Sequence, residues 1–160
     1  MGMIEVFLSC PTSANVVGQA DGGHFRMTFR RELEEFYRHQ RHEGCTASEV
    51  HELCQKYPVG LPPEYCDFLI VAGRHAGAFL LGTDYTYGQL DDLQEYARSL
   101  LEQNAVAGLP DQSFVVAVHQ GYQFYFLNNG RVMFYMEGAE DFVEKASSFA
   151  EFFRFVVRSK

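Results

Sequence analysis

The tripeptide Asn128-Asn129-Gly130 separates two β-rich runs, residues 122–127 and 132–136, and it narrows the possible folds more than any other feature of the chain. Asn-Gly readily takes the two left-handed backbone conformations of a tight hairpin turn, whose twist matches that of the flanking strands. A third run, residues 114–118, leads into the first of these through His119-Gln120-Gly121. The pattern predicts a three-stranded antiparallel meander. Alternation sends Tyr122, Phe124 and Phe126 to one face and Gln123, Tyr125 and Leu127 to the other, so both faces carry large side chains. One face is expected to be core and the other to be covered or to bind a partner.

Helical signals surround the meander. From Thr28, apolar residues recur at Phe29, Leu33, Phe36 and Tyr37, which predicts an amphipathic helix closed by Gly44. Thr46-Ala47-Ser48-Glu49 is a capping box opening a helix through Tyr57. Pro62-Pro63 opens a helix over 64–72 that Gly73 terminates. Apolar residues at 90, 93, 97, 100 and 101 predict a longer helix over 90–103 with an acidic outer face. Ser147 or Ser148 caps a last helix bearing Phe149, Phe152, Phe153 and Val156. Residues 78–81 are a short strand candidate, and 82–87 are expected to cross the sheet edge. Residues 4–8 read as a strand or tail, with a loop expected after them through Gly22-Gly23. The expectation is an α+β fold, a mostly antiparallel sheet flanked by helices, with a tail over 1–25 and a single domain over 26–160.

At 160 residues, 47% of them hydrophobic and with fifteen Phe and nine Tyr, the chain holds ample material for one core without disulfide or cofactor support. Its charge of -8 repels phosphate backbones and favours basic partners, so direct nucleic-acid binding is not expected. The excess is concentrated: residues 61–151 hold thirteen acids and four bases. No apolar run reaches the roughly eighteen residues of a membrane helix, and without a charged region followed by an uninterrupted hydrophobic stretch near residue 1, export is not expected. Cys10, Cys45, Cys54 and Cys66 form no CxxC pair, which suits free thiols in a reducing cytosol.

In combination, Leu61-Pro62-Pro63-Glu64-Tyr65 with Phe68-Leu69, Leu81-Gly82 with Asp84-Tyr85, the acidic helix from Leu90, the hairpin over 116–126, and Ser148-Phe149 with Glu151-Phe152-Phe153 are similar to the SUKH superfamily. That superfamily is named in part after the fungal cell-wall-synthesis regulators. The resemblance covers roughly residues 45–160, and Ala72-Gly73-Arg74-His75 stands where an Asn-Gly-Gly-like turn is usual. It implies an α+β fold without catalytic residues or cofactor, working by protein binding. Many bacterial members resemble immunity proteins that occupy a polymorphic or contact-dependent toxin, often a nuclease, in the cytosol. A fungal branch works instead as a signalling scaffold.

The residues themselves offer little chemistry. Cys45, His51, Cys54 and Cys66 are suitable zinc ligands, but only His51 and Cys54 are close in sequence, and a structural zinc site presents close ligand pairs. His119, with Asp84, Tyr85 and Tyr87, offers groups for acid/base work, yet there is no nucleophile elbow, phosphate loop or HExxH. The sharper expectation is a docking patch. Asp84, Tyr85, Tyr87, Asp91, Asp92, Glu95, His119 and Gln120 would present acids and aromatics to a basic toxin domain, replacing the nucleic-acid backbone it binds. The alternatives are a regulatory scaffold and a small-ligand or peptide binder, with the chain a monomer or weak dimer.

Overall fold

A computed structural model describes residues 28–159. The strand or tail expected over 4–8 and the loop after it lie outside the described residues. Helix α1 is Phe29–Tyr37, α2 is Ala47–Lys56 and α3 is Pro63–Ala72. Strand β1 is Thr83–Asp84, followed by α4 (Leu90–Gln103), then β2 (Ser113–His119), β3 (Gln123–Asn128), β4 (Arg131–Met136) and β5 (Val143–Ala146), and the described part ends with α5 (Phe149–Arg158). The strands form one antiparallel sheet in the order β1-β2-β3-β4-β5. The expected meander is thus the centre of a five-stranded sheet, and α4 is inserted between β1 and β2.

Local chemistry accounts for most element boundaries. Thr46 and Glu49 form the reciprocal capping box of α2, and Ser148 accepts from the Glu151 N–H at the start of α5. Asn129 at φ +50° and Gly130 at φ +77° make the β3–β4 turn, and Gln120 at φ +50° with Gly121 at φ +77° repeats it between β2 and β3. Helix α1 stops at Tyr37, well short of Gly44. Gly44 serves packing instead: a Cβ there would sit 1.7 Å from the Ile70 carbonyl oxygen, because residues 43–45 run directly across the end of α3.

The four residues over 78–81 are turn, not strand, and the sheet begins at Thr83. Leu80 takes φ +46° in that turn, which no strand contains. Strand β5 carried no sequence signal. It is an edge strand of mostly exposed residues, Val143, Glu144 and Lys145 among them, and edges are blunted by such charge.

Both faces of the sheet are covered. On one, Tyr125 meets Phe152 of α5 at 5.0 Å and Phe114 meets Tyr65 of α3 at 6.0 Å between ring centroids. Behind α5, Phe153 takes edge contacts from Phe29 and Phe36 of α1 at 5.7 and 5.3 Å. Helix α1 is tied to α5 again where Glu32 accepts both Nε and an Nη of Arg154. On the other face, Phe124 lies 5.3 Å from Tyr135, and Phe142 in the β4–β5 connection closes on Phe126 at 5.1 Å. Helix α4 runs alongside β2, with Leu90, Leu93, Ala97, Leu100 and Leu101 buried.

Candidate functional site

Residues singled out from the sequence meet where β1, the first turns of α4 and the β2–β3 turn converge. Asp84 pairs in register with Val118, and Thr83 with His119, so the β1 edge ends beside the Gln120-Gly121 turn. Asp84 is exposed, its Oδ1 accepting from Gln89 Nε2 at 3.0 Å. With Asp92, Gln89, Leu93, Tyr96, Val118 and Gly121 it lines an open depression of about 260 Å³. Glu95 is exposed on the same helix. Among the described residues no lysine or arginine is paired with Asp84, Asp92 or Glu95.

Asp91 is placed differently. It turns toward α2, where Lys56 Nζ lies 2.6 Å from Oδ2 and the Tyr57 hydroxyl donates to Oδ1 at 2.5 Å. Lys56 and then Tyr57 hold its carboxyl below the usual range, while burial and the Asp91 charge push the Tyr57 hydroxyl up to about 12. Its charge is spent joining two helices.

Tyr85 and Tyr87 point inward. The Tyr85 oxygen accepts the Ala76 N–H at 3.2 Å, and its ring packs tilted against Phe68 at 6.4 Å and edge-on against Phe79 at 6.0 Å. Tyr87 donates to the Glu49 carbonyl at 3.1 Å beneath the Arg74 guanidinium, which is paired with the Glu49 carboxylate. Burial raises both hydroxyls. They fix the 83–89 segment from below. His119 is half-buried, its Nδ1 2.8 Å from Thr83 Oγ1, and Gln120 is exposed and accepts from the Tyr122 hydroxyl at 2.7 Å.

Two surface aromatics stand outside the residues expected to form the patch. Tyr96 is 42% exposed and donates to the Gly121 carbonyl at 2.5 Å, tying α4 to the β2–β3 turn; Tyr122 stands exposed on that turn. In the sequence Tyr96 looks like any outer position of an amphipathic helix, and only tertiary placement joins it to Gly121. The six exposed large apolar side chains among the described residues are Leu81, Tyr96, Tyr122, Met136, Val143 and Phe155. Tyr96 and Tyr122 flank the β2–β3 turn, and Met136 lies opposite Gln123 beside it.

The arrangement provides a surface, with acids unmatched by local cations and aromatics held by hydrogen bonds. It assembles no metal centre: among the described residues no three His, Cys, Asp or Glu side chains are grouped to hold an ion. No described helix is long and apolar enough to cross a membrane. No curated protein matches the chain significantly. The sequence model of the SMI1 / KNR4 family (SUKH-1) matches residues 44–154, from the crossing segment at Gly44 through most of α5, and the chain belongs to that family.

Proposed function

We propose that this protein is a non-catalytic binding module that neutralises a basic toxin domain, such as a nuclease, by occupying its substrate-binding surface. Domains of the family generally bind proteins, which supports the general class. The observation that carries the finer reading is the acidic edge formed by Asp84, Asp92 and Glu95, none of them paired with a cation of the described chain, beside Tyr96, Gln120 and Tyr122. Uncompensated charge at a rim speeds encounter with a surface of opposite sign, and rigid aromatics supply the lasting contact. Tyr85, Tyr87 and His119 hold this edge in shape, and Asp91 braces its helix.

The test is a pull-down from the source strain with the purified protein as bait. A single basic, nuclease-like protein recovered at one-to-one ratio, released by high salt and lost when Asp84, Asp92 and Glu95 are all changed to lysine, supports neutralisation. Recovery of several signalling or cell-envelope proteins supports a regulatory scaffold instead. Binding unaltered by the triple change removes the acidic edge from the mechanism.

A further inference from the structure

Thr83 and Asp84 are successive residues of β1, so their side chains point to opposite sides of the sheet. Asp84 belongs to the acidic edge. On the side of Thr83, cross-strand pairing sets Thr83, His119, Gln123 and Met136 in one row at the end of the sheet. Leu80, Leu81, Tyr125 and Val156 close around this row to form an open notch of about 380 Å³, and no aspartate, glutamate, lysine or arginine lines it. The 2.8 Å contact between Thr83 and His119 fixes its floor.

The rim of the notch is apolar and solvent-facing. Leu81 is 70% exposed on one side and Met136 is 48% exposed at the end of the row. On α5, Val156 lines the notch, and the residue before it, Phe155, is 64% exposed. Leu80, at φ +46°, is a bulky residue in a left-handed conformation, which the surrounding contacts must offset. The turn thereby keeps Leu80 half-buried while Leu81 stands out in water. Exposed apolar side chains grouped in this way mark interaction sites rather than ordinary surface.

Resting on the reading above, we propose that this notch receives an apolar side chain of the same basic partner, so that one contact spans the sheet end with an apolar anchor in the notch and cations on the acidic edge. Charge selects this occupant. The notch holds no carboxylate, lysine or arginine, while its neighbour across β1 is Asp84 and Asp92 lines the next depression. An apolar group flanked by lysine or arginine satisfies both surfaces, as in interfaces with an apolar centre and a charged rim. A second copy of this chain would bring like charges together, which opposes it.

The experiment uses three blocked pentapeptides, Lys-Lys-Leu-Lys-Lys, Lys-Lys-Ser-Lys-Lys and Glu-Glu-Leu-Glu-Glu, titrated into the ¹⁵N-labelled full chain. The first is expected to shift the amides of Leu81, His119 and Gln123 as well as those near Asp84 and Asp92. The serine peptide is expected to shift only the acidic edge and to bind about tenfold more weakly, since burying one large apolar side chain is worth at least that factor. Leu81→Ser, at an exposed position, should erase the leucine preference without disturbing the fold. Notch shifts that are equal for leucine and serine, or absent, overturn the proposal, whatever the acidic edge does. Equal notch binding by the Glu-Leu peptide overturns the basic partner. Absence of any response at the acidic edge counts separately against the neutralisation reading.

Discussion

Gln94 of α4 and Val115 of β2 form a closed pair of hydrogen bonds, Val115 N–H donating to Oε1 at 2.8 Å and Nε2 donating to the Val115 carbonyl at 2.7 Å. The side-chain amide stands in for a neighbouring strand along the part of β2 that short β1 does not reach, beside the register shift between Val115 and Ala117. Val115 is fully buried, so its two backbone groups have no water to turn to. Gln94→Ala is expected to cost about 2 to 4 kcal/mol, the penalty for two buried groups left unpaired, read as a lower urea midpoint. Gln94→Glu keeps the acceptor but not the donor, and should recover at most part of the loss.

Gly44 tests the crossing of segment 43–45 over α3. A Cβ at 1.7 Å from the Ile70 carbonyl oxygen meets backbone, which no side-chain rotation relieves. The neighbouring main-chain bond from Cys45 N–H to the Leu69 carbonyl, 2.8 Å, holds the segment in place. Gly44→Ala should therefore destabilise by at least about 3 kcal/mol, the upper range for overpacking, and lower the thermal midpoint accordingly. Gly88→Ala, where a Cβ meets nothing within 4 Å, is the matched control and should change stability little.

The Lys56–Asp91–Tyr57 cluster predicts a pH dependence with opposite limbs. The Asp91 carboxyl titrates below its ordinary value, so its contribution is complete above about pH 4 and is lost as pH falls through the folded-state value. The Tyr57 hydroxyl is raised to about 12, so its contribution is complete below about pH 10 and is lost as pH rises through about 12. The Lys56 and Asp91 side chains are each 57% exposed, which limits the acid limb to about 0.5 kcal/mol. Urea midpoints across pH should show Lys56→Met flattening the acid limb and Tyr57→Phe removing this contribution from the alkaline one.

Periodicity and caps made most of this architecture legible in the sequence. Helix α4 spans residues 90–103 as its apolar spacing requires, and the Asn129-Gly130 turn sits where the dipeptide put it. What escaped is non-local or lacks pattern. Residues 78–81 are four apolar positions without alternation, and such a run does not distinguish a strand from a turn that buries Phe79 and leaves Leu81 in water. Strand β5 is Val-Glu-Lys-Ala, an edge whose charges hide its geometry. For the site, sequence grouped Asp91 with Asp92 and Glu95, yet a step of 100° per residue turns Asp91 toward Lys56 and leaves Asp92 at the depression. The Tyr96–Gly121 and Gln94–Val115 bonds join residues more than twenty positions apart. No local rule anticipates them.

That division of the acids yields the last expectation. Asp84, Asp92 and Glu95 lack cationic partners among the described residues, so their field extends into solvent, whereas the Asp91 charge is largely met by Lys56. Reversing the three to lysine is expected to slow association with the proposed basic partner by about tenfold or more and to flatten the dependence of the on-rate on ionic strength. The off-rate should change less, because aromatic contact rather than rim charge governs it. Asp91→Asn serves as contrast: it should lower stability slightly and leave the on-rate near that of the unaltered protein. Stopped-flow association at several salt concentrations separates the two. An on-rate that responds to Asp91→Asn as strongly as to the triple reversal would show that total charge, rather than the edge beside Tyr96 and Tyr122, does the steering.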